Sequence, residues 1–393
     1  MKKTIITLFI ASSVLSTAFA QKEVKYSKIY YKNTSAETSG VTIYIEDAVS
    51  TDGETKLKLK IDNRTNDYII YKPEESKFMI DGKELKTAEK WMVIAPNKSE
   101  SKVLNLKGEN YNKVKNYSFV LDGLYKASLG NVSKTGDFKL PATKNDFSNG
   151  NFNCSLNKLS TEAEETSIKF NCSYSGDKIG FIFPAKATLI MPDGSEIAVT
   201  KSTSAVASLL KKTGDEPVIF LKKGDDNFTL KYGSIQLSSK GIATPDFKLP
   251  AASNDFKTGN FNCVLGDVYK KTDATTAKFK VTYTGNKIGF VNPSKVSVLM
   301  PDGKEYANAK RTGAIILPAG KDGSFTLGWD RMTGGKTMDM QFADMMIKWN
   351  DAFFEGEMSV KWNDAFVEST PEKIASQKME LEFDEATSNA KGK

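Results

Sequence analysis

The amino-acid sequence predicts an all-β protein built from three tandem β-sandwich modules. Residues 138–194 and 247–303 align without a gap at an offset of 109 and share 29 identical residues in 57 positions. Within both copies, apolar and polar residues alternate, which is the period of a β-strand with one buried face. The sequence MPDG, at 191–194 and 300–303, is typical of a turn between two strands. A repeat this long indicates a duplicated domain, because solenoid and propeller repeats have periods of roughly 20–50 residues.

Residues 1–20 are predicted to form a signal peptide that is cleaved on export. Lys2 and Lys3 precede an apolar run at 5–14, and the sequence AFA that follows has the small-x-small pattern of a cleavage site. The apolar run is too short to span a bilayer, and no later segment is long and apolar enough. We therefore expect an exported protein without a membrane span, located in the periplasm or secreted to the cell surface.

Composition narrows the possible functions. The chain has 55 basic and 48 acidic side chains, and the charges are mixed along the sequence. A nucleic-acid-binding protein usually concentrates its basic residues on one face, so nucleic acid is not an expected partner. Histidine is absent, which excludes Ser-His-Asp and Cys-His catalysis and histidine-based metal sites. We predict that the protein is not an enzyme and that it uses no cofactor or metal, although paired carboxylates could still catalyse hydrolysis.

Extending the repeat towards the N-terminus predicts a first, more divergent module. The segment 57–84 parallels 168–196, with Pro73 opposite Pro184. The predicted boundaries are 21–142, 143–251 and 252–386, followed by a flexible tail at 387–393.

One motif of the first module resembles a known family. The sequence N-x-T-N-D-Y-x-I, followed by F-x-I-D-G at 78–82, resembles small immunoglobulin-like domains of bacterial envelope proteins. The resemblance covers about thirty residues per module and implies an immunoglobulin-like sandwich, without identifying a function. The Cys–Trp–Cys spacing of antibody domains is missing, so true immunoglobulin domains are not predicted.

The three cysteines allow two interpretations. If the strands that contain Cys154 and Cys172 form a hairpin, the two thiols face each other, and export makes a disulfide chemically reasonable. Alternatively, both are small core residues. In the other copy, Cys263 corresponds to Cys154 and Val281 replaces Cys172. The fold therefore does not require a bridge, and we expect Cys263 to be buried and unpaired.

The copies differ most near 331–376, which we predict to be an insertion in the third module. This region holds six of the twelve methionines and the repeated sequences IKWNDAF and VKWNDAF. Methionine together with aromatic residues is typical of adaptable protein-binding surfaces.

The two KWNDAF sequences supply the candidate binding residues. These are Trp349, Asn350, Asp351, Trp362, Asn363 and Asp364. Rings beside amides and carboxylates are also typical of sugar-binding faces, whereas an alternative interpretation places the rings in the core of the third module. A catalytic pair of Asp351 and Asp364 is disfavoured, because acids in identical contexts have no reason to differ in pKa.

The sequence thus predicts a non-enzymatic, exported binding or structural protein of the bacterial cell envelope. In this hypothesis the region 331–376, or a sheet edge, binds a protein partner. The alternative is a carbohydrate-binding protein, with a polysaccharide stacked on Trp349 and Trp362. Exposure of both rings on one face would favour a binding site, and burial would leave only a structural role.

Overall fold

The computed structural model describes residues 25–392, except for 130, 134–135, 163–164, 205–218, 222–223, 236–239, 311–312 and 333–340. Almost all regular structure in these residues is β-strand, arranged in antiparallel sheets, so the all-β prediction is confirmed. The predicted signal peptide at 1–20 lies outside the described residues. None of the described helices is long and apolar enough to cross a membrane. The immunoglobulin-like character of the modules stays a prediction.

The sheets fall into three sets of three, and each set defines one unit. The first unit contains strands β1 (Ile29–Tyr30), β2 (Thr34–Thr38), β3 (Val41–Ser50), β4 (Glu54–Asn63), β5 (Tyr68–Tyr71), β6 (Lys77–Ile80), β7 (Lys83–Leu85), β8 (Met92–Ile94), β9 (Ser99–Lys107), β10 (Tyr117–Leu121) and β11 (Leu124–Ala127). Its sheets have the orders β1-β3-β4-β9, with β2 also on β3, then β10-β6-β7 and β11-β5-β8.

The second unit repeats this arrangement. Its strands are β12 (Asn131–Ser133), β13 (Phe138–Leu140), β14 (Asp146–Asn149), β15 (Phe152–Thr161), β16 (Thr166–Tyr174), β17 (Ile179–Ile182), β18 (Thr188–Ile190), β19 (Glu196–Ala198), β20 (Lys201–Ser204), β21 (Ile219–Leu221) and β22 (Gly224–Tyr232). One sheet has the order β14-β15-β16-β22-β20, and the other two contain β17-β21 and β18-β19.

The third unit is built in the same way. Its strands are β23 (Phe247–Leu249), β24 (Asp255–Thr258), β25 (Phe261–Lys270), β26 (Thr275–Tyr283), β27 (Ile288–Val291), β28 (Ser297–Leu299), β29 (Glu305–Ala307), β30 (Ile315–Leu317) and β31 (Asp322–Trp329). Its sheets contain β24-β25-β26-β31, β30-β27 and β28-β29. Every second residue of β16 and of β26 is buried, as the alternating sequence pattern predicts.

Equivalent short turns of the units contain the same residue types. Three 3₁₀ helices begin at the equivalent prolines Pro73, Pro184 and Pro293, because proline fixes the backbone of the first turn and needs no hydrogen-bond acceptor there. The two MPDG turns end at Gly194 and Gly303, which have φ values of 81° and 82°. Glycine tolerates this left-handed conformation without steric cost.

The C-terminal segment, which we call the return segment, adds strands to all three units. It contains β32 (Met345–Lys348), β33 (Phe353–Gly356), β34 (Met358–Lys361), β35 (Phe366–Ser369), β36 (Glu372–Lys373), β37 (Gln377–Leu381) and the helix α1 (Glu385–Lys391). In the third unit, β32 lies between β23 and β28, and β33 pairs with β27. In the second unit, β34 lies between β13 and β18, and β35 lies between β12 and β17. Finally, β36 and β37 extend the first unit at β11 and β10.

The prediction of an insertion at 331–376 in a third module spanning 252–386 is therefore wrong. Only the part of the return segment up to Gly356 pairs with the third unit. The two KWNDAF sequences are alike because each forms the turn of a hairpin that fills the same position in successive units. In the first unit, the unit's own strands β10 and β11 fill this position.

The predicted start of the second module, at 143, also needs correction. The FKL sequences of β13 and β23 pair with the return strands of the unit that follows them in the chain. The second unit therefore begins with β12, before the predicted boundary. Sequence comparison did not predict this boundary, because the strands that pair with the FKL strands lie far away in the sequence.

Each unit has its own hydrophobic core, and the return segment contributes to all three. Met379 and Leu381 are buried in the first core, Trp362 and Phe366 in the second, and Trp349 and Phe353 in the third. A smaller cluster that includes Tyr68, Phe181 and Val367 joins the first unit to the second. Because the same segment closes all three cores, the units are not independent folding modules.

Replacing the two tryptophans tests this route of the return segment. They lie 13 residues apart, but each fills the core of a different unit. We expect Trp362→Ala and Trp349→Ala each to cost about 3–5 kcal/mol of stability, because each leaves a large cavity. In hydrogen–deuterium exchange, Trp362→Ala should raise exchange in 152–174 of the second unit, and Trp349→Ala in 261–283 of the third.

The half-buried Trp91 provides the control for this experiment. Trp91→Ala should destabilise the protein less than either core replacement. Faster exchange confined to the third unit in both core variants would contradict the placement of Trp362 in the core of the second unit.

Candidate functional site

The candidate tryptophans are core residues. Trp349 and Trp362 are each 1% exposed. Ring centroids of Phe256 and Phe279 lie 5.0 and 5.3 Å from that of Trp349. Around Trp362, equivalent phenylalanines lie at 5.3 and 5.1 Å. No ring face is accessible for stacking on a sugar, so the proposed carbohydrate role of these tryptophans is wrong, as is their role in binding a protein.

The neighbouring Asn and Asp residues form the hairpin turns. Asn350 and Asp351 have φ values of 46° and 59°, and Asn363 and Asp364 have values of 47° and 59°. Two successive left-handed residues are typical of a tight type I′ turn, and Asn and Asp tolerate this conformation better than most side chains. The sequence motif therefore reflects turn geometry.

The turn side chains have structural partners. The Asn350 amide donates a hydrogen bond to Ser297 Oγ at 2.8 Å, and the Asn363 amide donates to Thr188 Oγ1 at 3.1 Å. Asp351 and Asp364 lie in hairpins of different units, so the structure does not form the single cleft that a catalytic pair requires. Among the described residues, no group of three or more acidic or cysteine side chains could hold a metal ion.

The four methionines that the structure describes near 331–376 do not form an exposed surface. Met332, Met345 and Met358 are each 2% exposed, and Met346 is half-buried. Met338 and Met340 lie outside the described residues. The described methionines that are buried, together with Trp349 and Trp362, contribute to the second and third cores.

The cysteines follow the predicted hairpin register. Cys154 and Cys172 lie opposite each other on β15 and β16 and form a disulfide. Cys263 is buried and unpaired, and it lies opposite Val281 in the third unit. Of the two interpretations of Cys154 and Cys172, the structure has the disulfide, and Cys263 is buried and unpaired as expected.

A large cleft between the second and third units is the best candidate site. Its volume is about 1020 Å³, at the upper end of the roughly 300–1,000 Å³ range of ligand sites. The end of β15 forms the wall from the second unit, and the beginning of β31 forms the wall from the third. Apolar side chains between these walls include Leu140, Leu156, Ile288, Ile315 and Phe325. Sequence reasoning missed this site because its walls come from segments about 160 residues apart.

Direct contacts hold the two walls together. The Thr161 hydroxyl of the second unit donates to the Ile316 carbonyl at 3.5 Å and accepts from its N–H at 3.4 Å. The Ala314 N–H donates to the Ile235 carbonyl at 2.8 Å. Ile316 and Phe290 of the third unit also belong to the core of the second. Packing between the second and third units therefore sets the distance between the two walls of the cleft.

The charges around the cleft are unbalanced. Lys158, Lys310 and Lys321 line it, are exposed, and have no carboxylate partner among the described residues. Of the two acidic residues on the cleft, Asp322 forms an ion pair with Lys280 at 2.9 Å. The hydrogen bond from Lys280 holds the pKa of Asp322 below its usual value. The second acidic residue is Glu162. The lysines that line the described cleft therefore outnumber its carboxylates, and the rim has a net positive charge.

Comparisons with known proteins do not identify the chain. No protein-family model and no curated protein matches it. A conserved domain protein from Bacillus anthracis is similar over 75% of this chain and 90% of its own, with 10% identity and a TM-score of 0.15. A structure of the infectious bursal disease virus Gt strain is similar over 92% of this chain and 84% of its own, with 11% identity and a TM-score of 0.12. TM-scores this low carry no argument about fold or function.

Alkylation of the cysteines tests their assignment. Burial raises the pKa of Cys263 to about 12, and the thiolate is the reactive form. At pH 8 we expect the folded, unreduced protein to resist iodoacetamide. Intact mass should show one added group after denaturation, and three after denaturation with reduction. Modification of the folded protein, or three groups without reduction, would contradict the assignment.

Proposed function

We propose that this chain is a non-enzymatic, exported binding protein of the bacterial cell envelope, and that its partner is a protein. The observation that carries the proposal is the cleft between the second and third units, with its apolar floor and polar, basic rim. A recognition site commonly combines these features, since apolar contact supplies affinity and polar groups at the rim supply specificity.

The chemistry of the cleft favours binding over catalysis. Its lysines are exposed, and of its two carboxylates Asp322 is held by Lys280 and Thr282. Glycoside hydrolysis needs two carboxyl groups with separated pKa values facing one substrate. Asp322 is engaged by Lys280 and Thr282, which favours a structural role for its carboxylate.

The return segment supports a scaffold role. It pairs with strands of all three units, so one chain segment is anchored in each unit, and contacts between neighbouring cores add to this link. A scaffold of this kind can present the cleft in one geometry, which lowers the entropic cost of binding. The predicted signal peptide at 1–20 supports export, and the disulfide between Cys154 and Cys172 is compatible with an oxidising compartment.

Site-specific photocrosslinking in the source cells tests the proposal. We expect Ser324→p-benzoylphenylalanine, which places the crosslinker on the cleft, to give one dominant protein adduct. Val103→p-benzoylphenylalanine is the matched control, because Val103 is an exposed residue on an edge strand of the first unit. Adducts should be separated by electrophoresis and identified by mass spectrometry. Absence of an adduct at position 324, or the same adducts at both positions, would overturn the proposal.

A further inference from the structure

The cleft wall formed by the third unit is an open strand edge. At one end of β31, the Tyr283 N–H donates to the Lys321 carbonyl, so the backbone groups of residue 321 point towards β26. At the other end, Ala309 N–H donates to the Gly328 carbonyl from the opposite side. Because successive residues of an antiparallel strand face opposite sides, the backbone groups of Asp322, Ser324 and Thr326 point away from β26. Among the described residues, these groups have no backbone partner.

The opposite wall is also an open edge. At the hairpin end of β15, Glu162 and Glu165 exchange both backbone hydrogen bonds, at 2.8 and 3.4 Å. By the same alternation, the backbone groups of Leu159 and Thr161 point away from β16. The neighbouring strand β14 pairs only with residues 152–155 of β15. It therefore leaves Leu159 and Thr161 without a strand partner in the described structure.

Comparison of the units shows that both edges are covered elsewhere. In the second unit, β20 pairs with residues 228–231 of β22, the equivalent of β31. Among the described residues of the third unit, no strand takes this place on β31. The segment from Ala307 to Phe325 is twelve residues shorter than the corresponding segment from Ala198 to Phe228.

The first unit covers the other edge with its N-terminal strand. There, Ile29 lies opposite Ser50, and the Tyr31 N–H donates to the Ala48 carbonyl at 3.0 Å. Aligned on the closing pair of the hairpin, Ala48 and Ser50 correspond to Leu159 and Thr161. Ile29 and Tyr31 alternate inward and are 1% and 4% exposed. The molecule thus contains an example of an extended, alternating segment bound at this edge.

We propose that the cleft binds an extended, acidic segment of a partner protein by strand addition along β31. This inference rests on the proposed function and specifies the partner's chemistry. The five residues from Asp322 to Thr326 offer about 16 Å of strand edge at roughly 3.3 Å per residue. Backbone hydrogen bonds supply affinity in this recognition mode, and alternate side chains select the sequence.

The rim selects an acidic occupant. Lys158, Lys310 and Lys321 line the cleft without carboxylate partners among the described residues, so their charge favours acidic side chains on the added strand. Apolar residues on the other face would cover the floor at Ile315 and Phe325. The N-terminal strand of a second copy does not fit, because the segment 25–32 has three lysines and no acidic residue.

A peptide-binding assay tests strand addition directly. The probe is a fluorescein-labelled decapeptide of alternating Val and Glu, followed by fluorescence polarisation with the full mature chain. We expect saturable binding that weakens as salt is raised, because the lysines are exposed and screened. The matched Val/Lys decapeptide, and the Val/Glu decapeptide with alternate N-methylated amides, should bind at least about tenfold more weakly.

Proline variants separate edge pairing from general adhesion. Ser324→Pro removes one outward N–H from the proposed edge while leaving the hydrogen bonds to β26 in place. We expect it to weaken binding of the Val/Glu decapeptide about fivefold to tenfold, the range for loss of a hydrogen bond of about 1 kcal/mol. Val103→Pro is the control, since the backbone N–H of Val103 likewise points away from the neighbouring strand β4 on the edge strand β9. Hydrogen exchange and thermal unfolding verify that both variants are folded.

Charge variants test whether the lysines of the cleft select an acidic peptide. Lys321→Glu combined with Lys158→Glu should reduce affinity for the Val/Glu decapeptide and raise it for the Val/Lys decapeptide. Lys83→Glu, on the exposed edge of the first unit, should change neither. On binding, amide exchange should slow at residues 322–326 and not at 99–107.

Several outcomes would overturn the inference. These are equal affinity for the two decapeptides, an unchanged affinity in Ser324→Pro, or slower exchange at 99–107 as well. Concentration-dependent dimerisation that Ser324→Pro abolishes would assign the edge to a second copy. A specific crosslinked protein at position 324 without any peptide binding would leave the proposed function standing and reject strand addition.

Discussion

Backbone pairing between the return segment and strands distant in sequence holds the three units together. β34 lies between β13 and β18, and β32 lies between β23 and β28, so each is an interior strand of its sheet. Removing an interior strand exposes backbone hydrogen-bonding groups on both neighbours, and their burial without partners is costly. The same segment places Trp362 and Trp349 in two different cores. Strand pairing and core packing therefore fail together if the segment leaves, and this couples the three units.

Duplication explains why one segment can serve several units. The second and third units present equivalent open positions beside β17/β18 and β27/β28, and the repeated KWNDAF hairpins fill both with the same aromatic packing. The units differ both inside their cores and at their edges. The Cys154–Cys172 bridge is replaced by Cys263 opposite Val281. The twelve-residue difference before β31 leaves an edge uncovered beside the basic cleft, so the proposed recognition surface arises from what the third unit lacks.

Much of the local structure could be predicted from sequence, because it depends on neighbours in the chain. Alternation identified the strands of β15, β16, β25 and β26, and the hairpin register placed Cys154 opposite Cys172. The MPDG turns were recognisable because their backbone requirements are local. The candidate site could not be predicted in this way. Leu159 and Ser324 are each ordinary strand residues, and their importance comes from edges that meet only when two units pack.

Three properties could be predicted from the residues alone: the all-β fold class, the duplicated unit, and a buried, unpaired Cys263 as the counterpart of Cys154. These properties follow from side-chain periodicity and from comparison of the copies. Only the tertiary structure decided where the KWNDAF hairpins belong, because strand pairing is made between residues far apart in the chain and leaves no periodic signal. Trp349 and Trp362 are buried, whereas the cleft between the second and third units is open to solvent. The physical reason is that a large aromatic residue has the same sequence signature in a core and on a binding face, and only packing distinguishes the two.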